Sequence, residues 1–526
     1  LEDEDLHDSG CDDRQPGHEG QDQQRPRLHP DIIADARRPN PTGSIGACAP
    51  GRRSPQVHFS GFRAATSDRP SPTAKIGSPR VKDRAEQFIG KAREAVPEGT
   101  FAVGGGLIIT AVTTYIFLIV VRAALPDPQY TSEYSAFNAF WGFMFVAGPG
   151  LFLPLEQEVG RALAHRRAQG LGGGPLVSRA ARLGAVMTAV MVVAAVATSP
   201  LYVDGLFHGD WLLVASLPVG LIGFAVMLLT RGTLSGNGRF RPYGMILAID
   251  GAAKLVAALV LYEVGVKNPG AYGMCIALSP FIATAIALRG QKELLQPGPP
   301  APYSELSNSL GWLLAGSLLM QALGYSVLLG VGILKGPGDA ALASALGSAF
   351  FVGRVPPLLF QAVQGTLLPK LAGLAGAGRH DDFKTGFRQL MVIVCAIAAL
   401  GTAAAFAIGV PIGEKLFPPF NIGAVDLGLL VAGNGIFIIA LTIAQALIAL
   451  HGHRAAAVAW GAGFVAFVIL AAAIQELAPR VEIGFLVGTA VTTLVMGWAL
   501  AVRMRAGVTE GIGALIEQIG HEPLEL

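Results

Sequence analysis

Charge is what this sequence has least of. Asp, Glu, Lys and Arg make up 14% of its 526 residues, where soluble domains carry roughly a quarter. With 52% apolar residues and a mean hydropathy of +0.50, that shortage excludes an ordinary soluble enzyme and places most of the chain in lipid. The charges that exist nearly cancel, to +2, so no nucleic-acid partner is implied. Cysteine is also scarce. Cys11, Cys48, Cys275 and Cys395 are too few and too scattered for a disulfide framework or a metal site. Catalytic signatures are missing too: there is no HExxH, no GxSxG and no GxxxxGK[ST], and the histidines have no ligand spacing. The chain is therefore read as a non-enzyme with no metal and no cofactor. Glycine, by contrast, is abundant at 67 residues, which suits closely packed membrane helices. Gly104-Gly-Gly106 is read as such a contact and not as a phosphate loop.

Residues 1–80 lack what the rest has. They are rich in Asp, Arg, Gln, Pro and Ser, with no apolar periodicity and no signal-peptide core. Such a segment buries too little surface to offset its ordering entropy. Two readings are open: a disordered cytoplasmic tail, or an upstream region that is not translated. The second draws on the first methionine being Met144, inside an apolar run, and on Val81 as a candidate non-ATG start. Residues 81–100 form a cytoplasmic flank.

About 20 apolar residues carry a helix across a hydrocarbon core of about 30 Å. Twelve runs reach that length: Phe101–Val121, Tyr134–Leu155, Leu183–Tyr202, Trp211–Thr230, Pro242–Tyr262, Pro269–Leu288, Leu310–Leu334, Ala340–Leu368, Gln389–Gly413, Leu427–Leu450, Ala455–Ile474 and Ile483–Val502. With the N-terminal flank inside, the inner segments hold 22 Lys and Arg and the outer ones 5. The bias alternates through every loop, which predicts an N-in, C-in topology. Pro297-Gly-Pro-Pro-Ala-Pro302 reads as a linker. It divides the chain into lobes at 101–289 and 310–503, joined by 290–309 and followed by a tail at 504–526 that carries a short surface helix. Six spans per half give both halves the same orientation. Loose likenesses agree: Gly238 in the loop after the fourth span matches Gly452 after the tenth, at an offset of 214. The fold class expected is therefore all-α and polytopic, with twelve transmembrane helices in two parallel six-helix lobes.

Ionisable residues inside a membrane default to functional hypotheses. Asp250 and Lys254 are spaced i, i+4 in the fifth span, on one helix face. They read either as a structural ion pair or as a cation-coupling or proton-relay site. Arg354 lies deep in the eighth span, before Pro356-Pro357, where the backbone ladder must break. Beside such a bend a guanidinium suits an anionic ligand, phosphate above all; the alternative is snorkelling to the interface. Arg122 closes the first span on the outside, against the charge trend, as an interfacial anchor or a binding residue. Glu156, Glu158 and Arg161 at the inner end of the second span, and Arg231, Arg239 and Arg241 after the fourth, read as topology signals and loop salt bridges, or as an inner gate. Pro154, Pro218, Pro280 and Pro411 mark possible bends.

Three segments carry a family resemblance: Arg122-Ala-Ala-Leu-Pro126 with Tyr134; Arg231-Gly-Thr-Leu-Ser-Gly-Asn-Gly-Arg-Phe240; and Arg354-Val-Pro with Leu367-Leu-Pro-Lys370-Leu. Over about Glu98 to Arg505 the chain resembles the polysaccharide-biosynthesis, lipid-linked oligosaccharide flippase branch of the MOP exporter superfamily, which also holds the MATE drug exporters. It departs in lacking glycine before Pro126 and in placing Ser132-Glu133 before Tyr134. The resemblance implies two MATE-like lobes around a cationic cavity, with Arg122 and Arg354, and Lys254 beside them, facing the anionic head of a polyprenyl-pyrophosphate sugar. It implies a bacterial cytoplasmic-membrane location. The implied partners are the lipid-linked glycan, the bilayer, and glycosyltransferases and a polymerase of the same pathway. A MATE-type drug or cation antiporter shares the scaffold but needs an acidic cavity, and Asp250 is the single acid expected deep in a span. A major facilitator is disfavoured because Glu156-Gln-Glu-Val-Gly-Arg161-Ala-Leu-Ala-His-Arg-Arg167 lacks that family's loop aspartate. A non-transporting scaffold of glycan synthesis is the remaining alternative.

Overall fold

The computed structural model describes residues 100–126, 130–306, 310–336, 338–355, 357, 380–450 and 452–521, without the side chains at 100, 304, 380 and beyond 505. Residues 1–80, and the motif Leu367-Leu-Pro-Lys370-Leu, lie outside them. Everything described belongs to the unit Pro79–Leu526. Its helices are α1 (Thr100–Ala124), α2 (Thr131–Ala168), α3 (Gly174–Ala197), α4 (Trp211–Gly236), α5 (Phe240–Glu263), α6 (Pro269–Ala287), α7 (Leu310–Gly324 and Ser326–Leu334), α8 (Ala340–Gly353), α9 (His380–Leu416), α10 (Ala424–Ala449), α11 (His453–Ala473) and α12 (Leu477–His521). Ten are long and apolar enough to cross a membrane; α7 qualifies as a bent pair, and α8 is a shorter apolar helix. This is a multi-pass membrane protein.

Packing shows the two lobes. In the first, α1 lies on α5, α2 on α4, α3 on α4, α4 on α6, and α5 on α6. Adding six to each number gives the second lobe: α7 on α11, α8 on α10, α9 on α10, α10 on α12, and α11 on α12. The same five neighbours recur, so the halves share a helix arrangement although their sequences barely match. Small residues allow the close crossings: a methyl group at Gly106 would meet the Gly244 carbonyl, and one at Gly251 would meet Thr110 and Thr113. Close backbones gain dispersion contacts where lipid supplies no hydrophobic force between helices.

Several elements differ from the hydropathy reading. α2 runs 38 residues, well past Leu155. Leu155, Val159, Ala162 and Leu163 continue an apolar stripe at helical spacing, buried against Leu176, Val177 and Ala180. The helix stops at Gly170, φ +70°, where the Leu171 and Gly170 amides turn back to the carbonyls of Arg166 and Arg167, as a left-handed glycine cap allows. α7, expected unbroken, bends by 63° between Gly324 and Ser326, with no proline at the bend. α8 halts at Arg354, whose amide bonds the Phe351 carbonyl, three residues back. Within α9, a π turn at Ala405–Gly409 precedes Pro411, relieving the clash that proline imposes on a regular ladder. α12 runs 45 residues, so the expected tail helix is its continuation.

The proline-rich linker is tied down. The Gly174 amide bonds the Gln296 carbonyl at 2.8 Å, and Ala301 and Leu306 are buried against α2 and α3. Arg166, 3% exposed, donates to the carbonyls of Gly172, Pro299 and Pro300 and holds the Glu305 carboxylate with two bonds, at 2.6 and 3.0 Å. That guanidinium keeps the Glu305 carboxyl below the usual carboxylate range.

Candidate functional site

The lobes meet along α2, which packs on both halves of α7 and on α8. From the Arg122 end inward, the seam is first polar and then aromatic. Lys335, after α7, reaches Ser135 Oγ at 3.3 Å and His208 Nε2 at 2.9 Å in the first lobe. Arg122, 1% exposed, donates to the Leu125 carbonyl at 3.0 Å and to the Pro419 carbonyl of the second lobe at 3.5 Å. Its guanidinium also covers the Tyr134 ring. Deeper in, Trp141 meets Phe351 edge-on and stacks on Phe145, which stacks on Tyr325. Tyr115 of α1 donates to the Phe351 carbonyl at 3.1 Å. Rings of both lobes therefore interlock across this part of the seam.

Arg354 lies at the inner edge of that aromatic layer. It is fifteenth from the start of α8, about 21 Å along the axis at 1.5 Å per residue. The breaks in α7 and α8 meet here. Its guanidinium rests on the rings of Tyr325 at 4.5 Å, Phe350 at 5.1 Å and Phe437 at 5.6 Å. Its one hydrogen bond among the described residues is donated by Nη1 to Asn434 Oδ1 of α10, at 3.2 Å. Gly324 leaves room for it, since a methyl group there would crowd the Phe437 ring and Arg354 Nη2. Among the described residues no carboxylate pairs with Arg354. Three ring faces offer a cation about 0.5–2 kcal/mol each and none of them cancels its charge.

Charges in the first lobe are paired instead. Asp250 and Lys254 form the i, i+4 pair at 3.0 Å, and Ser279 of α6 donates to the other Asp250 oxygen at 2.7 Å. Glu156 and Arg231 are not loop residues: they form a buried pair between α2 and α4 at 3.1 Å. Tyr243 bridges them, accepting from Arg231 at 2.7 Å and donating to Glu156 at 2.9 Å. The physical reason is that α2 stays helical through its charged stretch and so carries Glu156 into the lobe. Glu158 pairs with Arg161 at 2.8 Å, and Arg161 also reaches the Glu305 carbonyl. Arg239 donates to Gln291 and to the Lys292 carbonyl. Neither Asp250 nor Lys254 bonds to Arg354 or Arg122. Glu482 of α12 is a further acid within a span, 1% exposed; it falls just outside the run read from hydropathy. The sequence reading missed Tyr325, Asn434, Tyr115, Tyr243, Arg166 and Glu305. None of them stands out in its own run; Asn434 shares its apolar run with Gln445.

No family model matches the chain. It is 28% identical over 436 residues to the uncharacterized protein Rv1510 of Mycobacterium tuberculosis, covering 80% of this chain and 97% of that one. It is 27% identical over 335 residues to the uncharacterized protein Mb3654 of Mycobacterium bovis, covering 61% and 72%. Among solved structures it is similar to an inward-facing multidrug resistance MATE family transporter of the MOP superfamily, with a TM-score of 0.60, 13% identity, and 76% of this chain and 96% of that one covered. The outward-facing conformation of such a transporter gives 0.57, 14% identity, and coverage of 78% and 96%. The fold is MATE-like. A MOP superfamily transporter from Pyrococcus furiosus, described as having a binding pocket of reverse polarity that suggests a different function, shares the fold.

Proposed function

We propose that the protein is a transporter, not an enzyme, and that it flips a lipid-linked, polyprenyl-pyrophosphate oligosaccharide across the bacterial cytoplasmic membrane for cell-surface polysaccharide assembly. The observation that supports this reading is Arg354: a cation at the seam between two lobes, set where two helices break, with no carboxylate beside it among the described residues. A half-buried charge without a counter-ion still pays part of the desolvation cost, and an anionic ligand offsets it. A guanidinium also matches phosphate oxygens two at a time. The sugar pyrophosphate cannot cross hydrocarbon unaided. Between the lobes its head rests on Arg354 while the polyprenyl tail stays in lipid.

Alternating access follows from the seam. With the N-terminus and C-terminus inside, the Arg122 end faces outward and is closed by Lys335, Arg122 and the aromatic layer. The head enters from the inner side, reaches Arg354, and leaves outward when the lobes rock and those contacts part. Arg122 then meets the departing anion at the outer rim. The first-lobe pairs are the place for coupling: Asp250 with Lys254, and Glu156 with Arg231, can exchange protons or cations as the lobes move. With no nucleotide motif in the sequence, the energy comes from an ion gradient, the membrane potential or consumption of the product by the polymerase and glycosyltransferases that act on it.

Acids within spans favour a second reading, a MATE-type cation antiporter: Glu156 and Glu482 are buried and Asp250 is half-buried. A non-transporting scaffold is a third. Reconstituted vesicles separate the three. The full-length protein should move a fluorescent polyprenyl-pyrophosphate sugar between leaflets without other proteins, and Arg354→Ala should not. Transport of organic cations against a proton gradient, with no movement of the lipid, would establish the antiporter; no movement of either would leave the scaffold.

A further inference from the structure

Asn434 is fully buried, at 0% exposure, in the middle of the apolar helix α10. Its amide is fixed at both ends. Nδ2 donates to the Leu430 carbonyl at 3.0 Å, one turn back, which leaves Oδ1 aimed at Arg354 Nη1, 3.2 Å away. Two bonds of that kind allow only one orientation of the amide. Gly353, next to Arg354, lies against the same group, since a methyl group there would contact Asn434 Nδ2 at 3.4 Å. A neutral amide is an expensive group to bury in a membrane helix unless both its ends are satisfied, and here both are.

We propose that Asn434 is the positioning residue of the anion site and sets its sign: it locates the guanidinium by one hydrogen bond without neutralising it. The inference deepens the flippase reading and rests on it. An aspartate in the same place has almost the same shape and can accept the same bond. It would form a buried ion pair with Arg354, and the pair would have no net charge to offer a pyrophosphate. The Tyr325, Phe350 and Phe437 rings lie 4.5, 5.1 and 5.6 Å from the guanidinium carbon and offer it no directional hydrogen bond, so its direction is left to Asn434. Asn434 touches no ligand in this scheme and acts through Arg354.

The test compares two probes on the purified full-length protein: a short isoprenyl pyrophosphate and the isoprenyl alcohol that lacks the charge. Wild type should bind the pyrophosphate more tightly than the alcohol. Asn434→Asp should weaken pyrophosphate binding at least about tenfold, a difference of about 1.4 kcal/mol, and leave the alcohol unchanged. A merely structural asparagine would affect both probes alike, and that result overturns the inference, as does Asn434→Asp binding the pyrophosphate like wild type. Asn434→Ser covers the case in which the aspartate variant fails to fold. It is neutral, so it should bind the pyrophosphate a few-fold more weakly yet still prefer it to the alcohol; loss of that preference also overturns the inference. A wild type that shows no preference for the pyrophosphate sinks the flippase reading itself, and this inference with it.

Discussion

The two lobes share a helix arrangement and treat charge in opposite ways. In the first lobe Arg231 has Glu156 and Lys254 has Asp250 as acidic partners, and Arg122 is held by the carbonyls of Leu125 and Pro419. In the second, Arg354 has three aromatic rings and an amide. The two first-lobe pairs are each neutral as a unit, while Arg354 at the seam has no carboxylate beside it among the described residues; the buried acid of the second lobe, Glu482, lies on α12. Duplicated packing therefore does not mean duplicated chemistry. The first lobe holds two ion pairs that answer each other, and under the proposed function Arg354 of the second lobe is the ion that a ligand answers.

Breaking a first-lobe pair should have the largest effect on stability. Arg231→Met leaves Glu156 buried without its partner and should cost about 3–5 kcal/mol, while Arg231→Met with Glu156→Leu should recover most of it. Thermal unfolding in detergent reads both, and a double variant no better than the single would mean the pair is not the source of the loss. Arg354→Gln should show the reverse. It removes a charge that no acid answers, so stability should change little, while transport of the pyrophosphate lipid should fall roughly 10- to 100-fold, the worth of about 1.5–3 kcal/mol in a charge-assisted bond.

Acid should loosen the linker. Glu305 titrates below the usual carboxylate range because of Arg166. Its contribution is complete above that ordinary range and is lost as pH falls through the lowered native value. Protease cleavage of the 296–306 segment should therefore rise only in strong acid, and Glu305→Gln should be equally cleavable at every pH. A smaller effect is expected at the Arg122 end. Burial and Lys335 lower the His208 pKa from 6.5, so the neutral ring favours the closed seam. That help is present above about 6.5 and fades as pH falls towards the lowered native value. A spin-label distance between the two lobes at this end should grow slightly on acidification, and His208→Gln should abolish the change.

Much of the fold was legible in the sequence. Long uncharged runs located the spans, and the even number per half gave two like-oriented lobes. The i, i+4 spacing paired Asp250 with Lys254 before any coordinates did. Other features depend on information that hydropathy does not carry. A running average cannot see direction, so the 63° bend in α7, made without proline, read as a straight span. Glu156 and Arg231 are 75 positions apart, and only the packing of α2 on α4 shows that they meet. The proline-rich stretch reads from sequence only as a linker, and nothing in that pattern shows that Arg166 gathers the Pro299 and Pro300 carbonyls. At the site itself Arg354 was visible as a lone cation. Its surroundings were not, because Tyr325 and Asn434 come from two other helices and look unremarkable in their own runs.

The most direct test is the affinity of the purified protein for a short isoprenyl pyrophosphate, in wild type and in Arg354→Gln, measured at low and high salt. Tight binding by wild type, weakened by salt and reduced at least about tenfold by the substitution, is the predicted result. Equal affinity in the two proteins would contradict the claim that this one undischarged guanidinium receives the anionic head.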